Sequence, residues 1–465
     1  MALRCATMIS EIRASREHVV LLDCGRFVPG SAESILSKGL LPSKVLELLN
    51  YDVRLLSAEE LRNRAERSDG MGLPGHVPVL AANWKHLLGA PQGRPRMLRY
   101  WFKDIAGVRI AVTGIDERLG ARQGGGAWPP ASGFLATEPV LLDVLKSMRK
   151  SSPDICVLLC YFEGSPGAGP VLRRAEELAR RFPDFDLILM GGAGGMLRSH
   201  RVHETTLAQA SWGARGLGRI DLKYDASQRR IQWMNSDVLP VDADVGEDAG
   251  LRSQLGSSLG RIRRELEEIV GYCEGPIGGS QRWPGQSAMQ ELVSLAVGPG
   301  VDAVLVGREP GGMLSKGRIR YGDILRAVPD IQGWADIRVN PSELREILAE
   351  NVEFLETRWF LGASGISYQA DPSAKIGERV TDVCLADGIR PDASRRLHIR
   401  FPAYLLAAGQ RGPERARLRA TARRRQSQCS DPCLDTRASV ARYIRDHSPL
   451  SIKPRRTLTL HSNKR

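Results

Sequence analysis

The residues of this chain that could carry out chemistry are carboxylates near the ends of apolar segments. Asp23 stands near the end of the run 18–25, and Glu59 and Glu60 follow the segment VRLL at 53–56. Carboxylate oxygens are preferred ligands of divalent cations, so Asp23, Glu59 and Glu60 are candidates for a cation-binding cluster. The alternative is that they are solvated side chains or helix caps, as most surface carboxylates are.

Two histidines and a glycine-rich turn are the next candidates. His200 and His203 stand close together in the segment HRVH, and imidazoles are common metal ligands. Isolated histidines in an Arg-rich loop are, however, usually solvated. The glycine-rich turn 191–195 lacks the Lys-Ser/Thr pair of a phosphate-binding loop, so its glycines favour a role in turn geometry.

The cysteines give little indication of a metal or redox site. There are eight of them, and none has the CxxC spacing of a zinc site. Cys156 and Cys160 lie in an apolar run, where buried thiols are common. Cys429 and Cys433 would close a small disulfide loop in an oxidising compartment, and stay reduced elsewhere.

Length and composition predict a globular protein of several domains. The chain has 465 residues, 42% of them hydrophobic and 26% charged, which suggests two or three domains. No run approaches the ~20 apolar residues that cross a bilayer, which excludes an integral membrane segment. The first 18 residues carry charges where an export signal needs its apolar stretch, and they are typical of a helix.

The positive charge of the chain is confined to its end. Residues 395–465 hold 18 Lys/Arg and 4 Asp/Glu, a balance of +14, out of a net charge of +13 for the whole chain. Residues 410–434 have lost apolar periodicity and are predicted to be a loop or partly disordered insertion. Its arginines could bind an anionic partner such as RNA, DNA or lipid. The alternative is a solvated loop, since no aromatic residues are interleaved for base stacking.

Apolar runs that alternate with helical patterns predict a layered α/β domain in the first part of the chain. A sheet covered on both faces reads as continuous Val/Ile/Leu runs separated by amphipathic helices. The runs are 18–25, 77–84, 108–115, 155–162 and 185–192. A hairpin with its turn at Asp225 is predicted over 218–241.

A second α/β unit follows a polar segment with helical spacing. Residues 242–270 are predicted to be a linker helix between two domains. Beyond it we predict helices over 287–297, 341–356 and 435–450, and strands over 301–307 and 398–409. No internal repeat is present.

The order of these segments resembles the bifunctional 5'-nucleotidase family over about residues 5–460. Eight segments stand in the family's order, and together they carry the resemblance. They are VVLLDCGRF, YDVRLLSAEEL with VPVLAANW, FDLILMGGAGG, GQSAMQELVSLAV, KGRIRYGDILRAVP, LGASGISYQAD, YLLAAGQRG and VARYIRDHSPL.

The resemblance implies a fold and a domain organisation. Residues 1–241 would form a metallophosphoesterase-like β-sandwich with flanking helices, with its first strand missing. Residues 271–465 would form a second α/β domain like the 5'-nucleotidase C-terminal domain, with the Arg-rich insertion at 410–434.

The resemblance also implies a site for two divalent metal ions, which activate water and neutralise phosphoryl oxygens. The family's first ligand pair lies on a strand that would precede this chain's first helix. The positions of the family's other ligands are occupied here by residues that cannot bind a metal or that differ in type from the family's ligand. These residues are Arg26, Ala58, Glu59, Tyr161, Gly192 and Gly194. We therefore expect a degenerate member without metal ligands and without a metal cofactor.

The substrate segments are altered as well. The family's Asn-x-Gly-Gly-Ile-Arg loop reads REPGGML, which keeps Gly311 and Gly312 but has Leu314 at the arginine position. The base-binding Gly-Gly-Asp-aromatic segment ends in Pro413. Ser364 and Gly365 are retained, and a base could stack on Trp359 or Phe360. The candidate substrate-binding residues are Gly311, Gly312, Phe360, Ser364 and Gly365.

Three functions remain open at this point. The leading hypothesis is a 5'-nucleotidase-family protein whose metal-dependent hydrolysis of nucleotide phosphate esters is lost or severely reduced, with a nucleotide as the expected ligand. The second is an active hydrolase with a site rebuilt on Asp23, Glu59, Glu60 and the two histidines of HRVH. The third is a binding or scaffold protein for an anionic partner. The sequence does not fix the oligomeric state. It does not fix the location either, because the family is commonly exported and we find no export signal.

Overall fold

The fold is seen in a computed structural model. It describes residues 1–25, 31–37, 39–57, 75–85, 97–118, 134–163, 168–192, 195–278, 286–307, 312–328, 331, 333–355, 357, 359–406, 415–425, 428–429, 434–453 and 457–461. These residues fall into two compact units, which meet in sequence between Ile262 and Arg263. No helix in the described ranges is long and apolar enough to cross a membrane.

The helices of the N-terminal unit include longer amphipathic helices and shorter ones. They are α1 (Ala2–Ser15), α2 (Ala32–Leu36), α3 (Leu40–Leu48), α4 (Thr137–Arg149) and α5 (Ala168–Arg181), and α6 (Ala249–Glu267) crosses the boundary between the two units in sequence. Helix α5 stops where Pro183 follows, since proline cannot continue a helix. Helix α6 lies within the segment predicted to be a linker helix. The predicted domain boundaries at 241 and 270 stay a prediction.

The strands of this unit build two sheets and a hairpin. The strands are β1 (Leu22–Asp23), β2 (Val53–Leu55), β3 (Val79–Leu80), β4 (Met97–Leu98), β5 (Tyr100–Ile105), β6 (Val108–Arg118), β7 (Ile155–Glu163), β8 (Leu187–Gly192), β9 (Leu197–Val202), β10 (Thr205–Gln209), β11 (Gly216–Asp225) and β12 (Arg230–Pro240). The first sheet has the order β1-β2-β3-β4, and the second β5-β6-β7-β8-β10-β9. Within the second sheet β6, β7, β8 and β10 run parallel.

The two sheets pack face to face around an apolar core. Val53 and Leu55 of the first sheet share a buried cluster with Val112 and Leu159 of the second. The other face of the second sheet is covered by α4 and α5 through a separate cluster that includes Val144. The predicted sandwich with flanking helices is therefore confirmed.

The C-terminal unit adds five more described helices. They are α7 (Ala288–Val297), α8 (Tyr321–Ala327), α9 (Pro341–Val352), α10 (Ala416–Arg424) and α11 (Thr436–His447). Helix α7 begins with a capping box, in which the Ser287 hydroxyl accepts from the Gln290 backbone N–H at 3.1 Å and the Gln290 side chain accepts from the Ser287 N–H at 2.9 Å. Helix α9 begins at Pro341, as predicted, and its cap is Asn340.

The strands of the C-terminal unit are mostly short. They are β13 (Ile269–Cys273), β14 (Ile277–Gly278), β15 (Ala303–Gly307), β16 (Met313–Leu314), β17 (Gly317–Arg320), β18 (Trp334–Val339), β19 (Leu361–Ser364), β20 (Ile366–Ala370), β21 (Val380–Leu385), β22 (Leu397–Pro402), β23 (Gln428–Cys429) and β24 (Leu458–Leu460). The central sheet has the order β19-β15-β22-β18-β23. Smaller sheets pair β21-β20-β24, β13-β17 and β14-β16.

Both faces of this central sheet are covered, which explains the apolar runs of its strands. Leu305 of β15 belongs to a core with Leu344 of α9, whereas its neighbour Val306 belongs to a core with Leu292 of α7 and Val440 of α11. Successive side chains of a strand point to opposite faces, so a strand buried on both sides must be apolar throughout.

The prediction that 410–434 is a loop or disordered is wrong for part of that segment. Residues 416–424 form α10, in which Leu418, Thr421 and Ala422 are buried. These three recur at helical spacing, but the arginines between them hide the pattern. The flanking residues 407–414 and 430–433 lie outside the described ranges, and so does the predicted pairing of Cys429 with Cys433.

Arg415 holds the start of this segment in place. Its side chain is 3% exposed, donates to Trp359 O and to Asn351 Oδ1, and lies 4.7 Å from the Phe354 ring centroid. Burial lowers the pKa of Arg415 to about 10, although the Glu350 carboxylate opposes the shift. Arg415 therefore serves the packing of the segment, and its charge is not available to an external anion.

We expect Arg415→Ala to lower the free energy of unfolding by about 3 kcal/mol, because it leaves buried acceptors without their donor. The matched control is Arg423→Ala, an exposed arginine of the same segment, which is expected to change stability by less than about 0.5 kcal/mol. Urea denaturation of the full chain measures both. Equal losses in the two variants would contradict the structural role of Arg415.

Candidate functional site

The carboxyl ends of strands from both sheets of the N-terminal unit converge. Gly191, near the end of β8, lies so close to Cys24 that a Cβ on Gly191 would be 2.4 Å from the Cys24 carbonyl oxygen. Asp23, the last residue of β1, directly precedes Cys24. Ligands bind outside the carboxyl ends of strands in layered α/β folds, so this edge is the candidate site.

Asp23 lies beside a buried arginine. Asp23 pairs with Arg54 in the parallel register of β1 and β2, which places the two side chains on the same face of the sheet. The Arg54 side chain is 2% exposed. Burial raises the pKa of Asp23, while a hydrogen bond from the Gly25 N–H (3.0 Å) and the charge of Arg54 oppose the shift. The guanidinium of Arg54 thus already places a positive charge beside the carboxylate of Asp23.

Gly192 leaves no room for a side chain. Its φ is +99°, and a Cβ added there would lie 2.3 Å from the carbonyl oxygen of Phe162 in β7. Contacts this short require the backbone to move, so any L-residue at 192 is strained twice, by conformation and by collision. The resemblance places a histidine ligand of the family at this position.

Tyr161, where the resemblance places another histidine, belongs to the core between the two sheets. It is 2% exposed and packs in the same cluster as Leu55 and Leu159. The phenol of tyrosine is a poor substitute for an imidazole, because its oxygen carries a proton where the imidazole offers a free ring nitrogen.

The donor set of the described residues does not fit two divalent cations. No group of three or more His, Cys, Asp or Glu side chains suitable for a metal occurs in the part of the chain that the structure describes. Asp23 is one of the carboxylates at the strand ends, and the guanidinium beside it repels a metal ion. Arg26, Ala58, Glu59, Glu60 and Gly194 lie outside the described residues, so the absence of a metal cofactor stays a prediction.

The two histidines of HRVH do not join Asp23. His200 lies in mid-strand on β9, and its Nε2 is 2.9 Å from the Glu176 carboxylate of α5. His203 lies in the turn before β10, at the end of the sheet where β8 begins. That end is opposite to Gly192, so the hypothesis that these histidines replace the lost ligands is not supported by their positions.

The substrate segments of the C-terminal unit are mostly packed into its core. Leu314, at the position of the family's phosphate-binding arginine, is fully buried, and Phe360 is 3% exposed. Ser364 is buried in β19, next to Gly365. A Cβ on Gly365 would lie 2.2 Å from the Asp302 carbonyl oxygen. This close approach explains why a glycine is retained at position 365, and the explanation needs no bound ligand.

One candidate binding residue has different surroundings. Gly312 is exposed and borders a surface cleft, and Gly311 lies outside the described residues. The assignment of Gly311, Gly312, Phe360, Ser364 and Gly365 to substrate binding stays a prediction.

Arg54 is the residue of this site that the sequence reasoning missed. The signal was present, because Arg54 stands between Val53 and Leu55 in a run that is otherwise continuously apolar. A lone charge inside a buried strand needs a compensating group, and such residues are usually functional or paired.

Comparison with known proteins supports the resemblance on which these positions were mapped. Residues 269–413 match the family model of the 5'-nucleotidase C-terminal domain. The trifunctional nucleotide phosphoesterase protein YfkN of Bacillus subtilis (strain 168) is 21% identical over 431 residues, which cover 82% of this chain and 29% of that relative. The chain thus spans less than a third of the relative's length.

Solved structures share the fold of the whole chain. The 5'-nucleotidase precursor of Thermus thermophilus matches with a TM-score of 0.64 and 16% identity, covering 100% of this chain and 94% of that one. The NAD nucleotidase of Haemophilus influenzae matches with a TM-score of 0.54 and 14% identity, covering 100% and 93%. The resemblance to the bifunctional 5'-nucleotidase family and the two-domain α/β architecture are both confirmed.

We expect Gly192→Ala to lower the free energy of unfolding by about 2–5 kcal/mol, through backbone strain and collision with the Phe162 carbonyl. Gly213→Ala is the matched control, because Gly213 also has a positive φ (+67°) but nothing lies within 4 Å of its Cβ position. It is expected to lose about 1 kcal/mol. Gly192→His should be at least as unstable as Gly192→Ala. Denaturation curves that show equal stability for the two alanine variants would contradict this account.

Proposed function

We propose that this chain is a 5'-nucleotidase-family protein in which the ancestral reaction, metal-dependent hydrolysis of nucleotide phosphate esters, is lost or severely reduced. That reaction needs two cations that activate a water and neutralise the phosphoryl oxygens. The family resemblance supplies the reaction class, and the strand ends of the N-terminal unit supply the reason to expect its loss.

The observation that carries the proposal is the contact between Gly192 and Phe162. A lost ligand could in principle be regained by one substitution, but here the backbone of a neighbouring strand occupies the space where the ligand's side chain would begin. The loss is therefore built into the packing of β7 and β8 and does not depend on residue identity alone.

Electrostatics at Asp23 support the same conclusion. The pKa of Asp23 is raised by burial, so its charged form is already disfavoured, and Arg54 lies beside it in the register of β1 and β2. A divalent ion brought to this carboxylate would be repelled by the positive charge of that guanidinium. The described residues offer no contact that favours a rebuilt metal site or a scaffold role over this proposal.

The purified chain is expected to hydrolyse AMP and p-nitrophenyl phosphate no faster than the buffer does, with 1 mM Mn²⁺ or with EDTA (roughly millimolar metal saturates typical sites of this kind). Phosphate release is the readout, and circular dichroism confirms that the sample is folded. Turnover that depends on Mn²⁺ and disappears with EDTA would overturn the proposal. If that turnover is also lost in Glu59→Ala, the site has been rebuilt on the carboxylates.

A further inference from the structure

A small polar cleft lies in the C-terminal unit, between the segment that starts at Gly312, strand β17 and helix α8. Its volume is about 140 Å³, and its lining includes Gly312, Ser315, Arg318, Asp323 and Arg326. This is well above the roughly 10–15 Å³ that one water needs, so a group the size of phosphate fits. We propose that this cleft binds the phosphate group of a small phosphorylated ligand.

Asp323, the one carboxylate among the described lining residues, already has hydrogen-bond partners. Asp323 Oδ2 accepts a hydrogen bond from the Arg320 backbone N–H at 2.8 Å, and Oδ1 accepts one from the Arg326 side chain at 2.6 Å. Asp323 caps α8 through the first bond and holds the Arg326 guanidinium through the second. Asp323 therefore positions a cation at the cleft, and its charge is compensated before any ligand arrives.

Two guanidinium groups supply the donors for an anion. Arg326 uses one of its five N–H groups on Asp323, which leaves the others available. The Arg318 side chain forms no hydrogen bond or ion pair with any residue that the structure describes. Two guanidinium groups and one carboxylate leave one net positive charge in the lining. The fork of N–H donors on arginine matches the oxygens of phosphate.

The backbone around the cleft is held in place, so the residues that line it start from fixed backbone positions. The Gly312 N–H donates to the Ala327 carbonyl at 3.0 Å, which ties the first residue of the segment to the end of α8. Leu314 anchors the next residues in the core, and Ser315 follows with an exposed hydroxyl. On β17, Ile319 points into the core and Arg318 points out, by strand alternation.

The described residues of this cleft all belong to the C-terminal unit, and the binding of a phosphate group by arginines needs no metal. Its phosphate binding is expected whether or not any hydrolysis survives, so its failure and the failure of the proposed function are distinguishable. The family's own phosphate-binding arginine position is the buried Leu314, and the two arginines of the cleft are different residues.

Isothermal titration in EDTA tests the proposal, with inorganic phosphate, AMP and adenosine as probes. We expect inorganic phosphate to bind at one site, and Arg318→Gln/Arg326→Gln to weaken that binding at least tenfold. The charge-matched control is Arg338→Gln/Arg396→Gln, which removes two exposed arginines of the same unit and should leave the affinity unchanged. Higher NaCl should weaken binding to the wild type, since exposed charges are screened.

Comparison of the probes also shows whether the cleft recognises a nucleotide monophosphate or the phosphate group alone. AMP that binds more tightly than inorganic phosphate, with the same loss in the double variant, assigns the cleft to a nucleotide monophosphate. Equal affinities assign it to the phosphate group alone. Absence of phosphate binding up to roughly 10 mM, the weak limit of specific recognition, would overturn the proposal. Equal weakening in the cleft variant and in the control would overturn it as well.

Discussion

Close backbone contact between strand ends is the constraint on which the N-terminal unit depends. Gly191 lies against Cys24 of the first sheet, and Gly192 lies against Phe162 of the neighbouring strand. Glycine allows these approaches because it has no Cβ. The same contacts remove the space from which ligand side chains would project. Closely packed backbone and ligand side chains would therefore need the same space at this edge of the sheets. In this chain, the carbonyl groups of Cys24 and Phe162 fill that space at Gly191 and Gly192.

The stability of the sandwich comes mainly from the burial of apolar side chains. Apolar residues between the sheets and under α4 and α5 form its two large clusters, and Tyr161 and Phe162 at the candidate site belong to them. Burial of apolar area is the main driving force of folding and does not depend on catalytic residues. Arg54 is a buried guanidinium at this edge of the sheet, and its surroundings must compensate its charge. Arg415 shows the same use of arginine in the C-terminal unit, where it is a packing residue.

Sequence patterns predicted the fold better than the site. Continuous apolar runs such as 155–162 and the capping residues of α7 and α9 are local signals, and their elements formed as predicted. The resemblance gave the order of the domains. Helix α10 was missed because arginines obscured the spacing of Leu418, Thr421 and Ala422. The collision at Gly192 and the pairing of Asp23 with Arg54 could not be predicted, because both depend on distances between strands that are far apart in sequence.

The central claim is that the strand ends of the N-terminal unit no longer hold two metal ions. Calorimetric titration of the chelator-stripped full chain with Mn²⁺ and with Zn²⁺ tests it most directly, because it reports the number of ions bound without reference to any substrate. The account predicts no saturable binding of two ions. Tight binding of two ions per chain would contradict it, and would mean that residues outside the described ranges, Glu59 and Glu60 among them, complete a metal site.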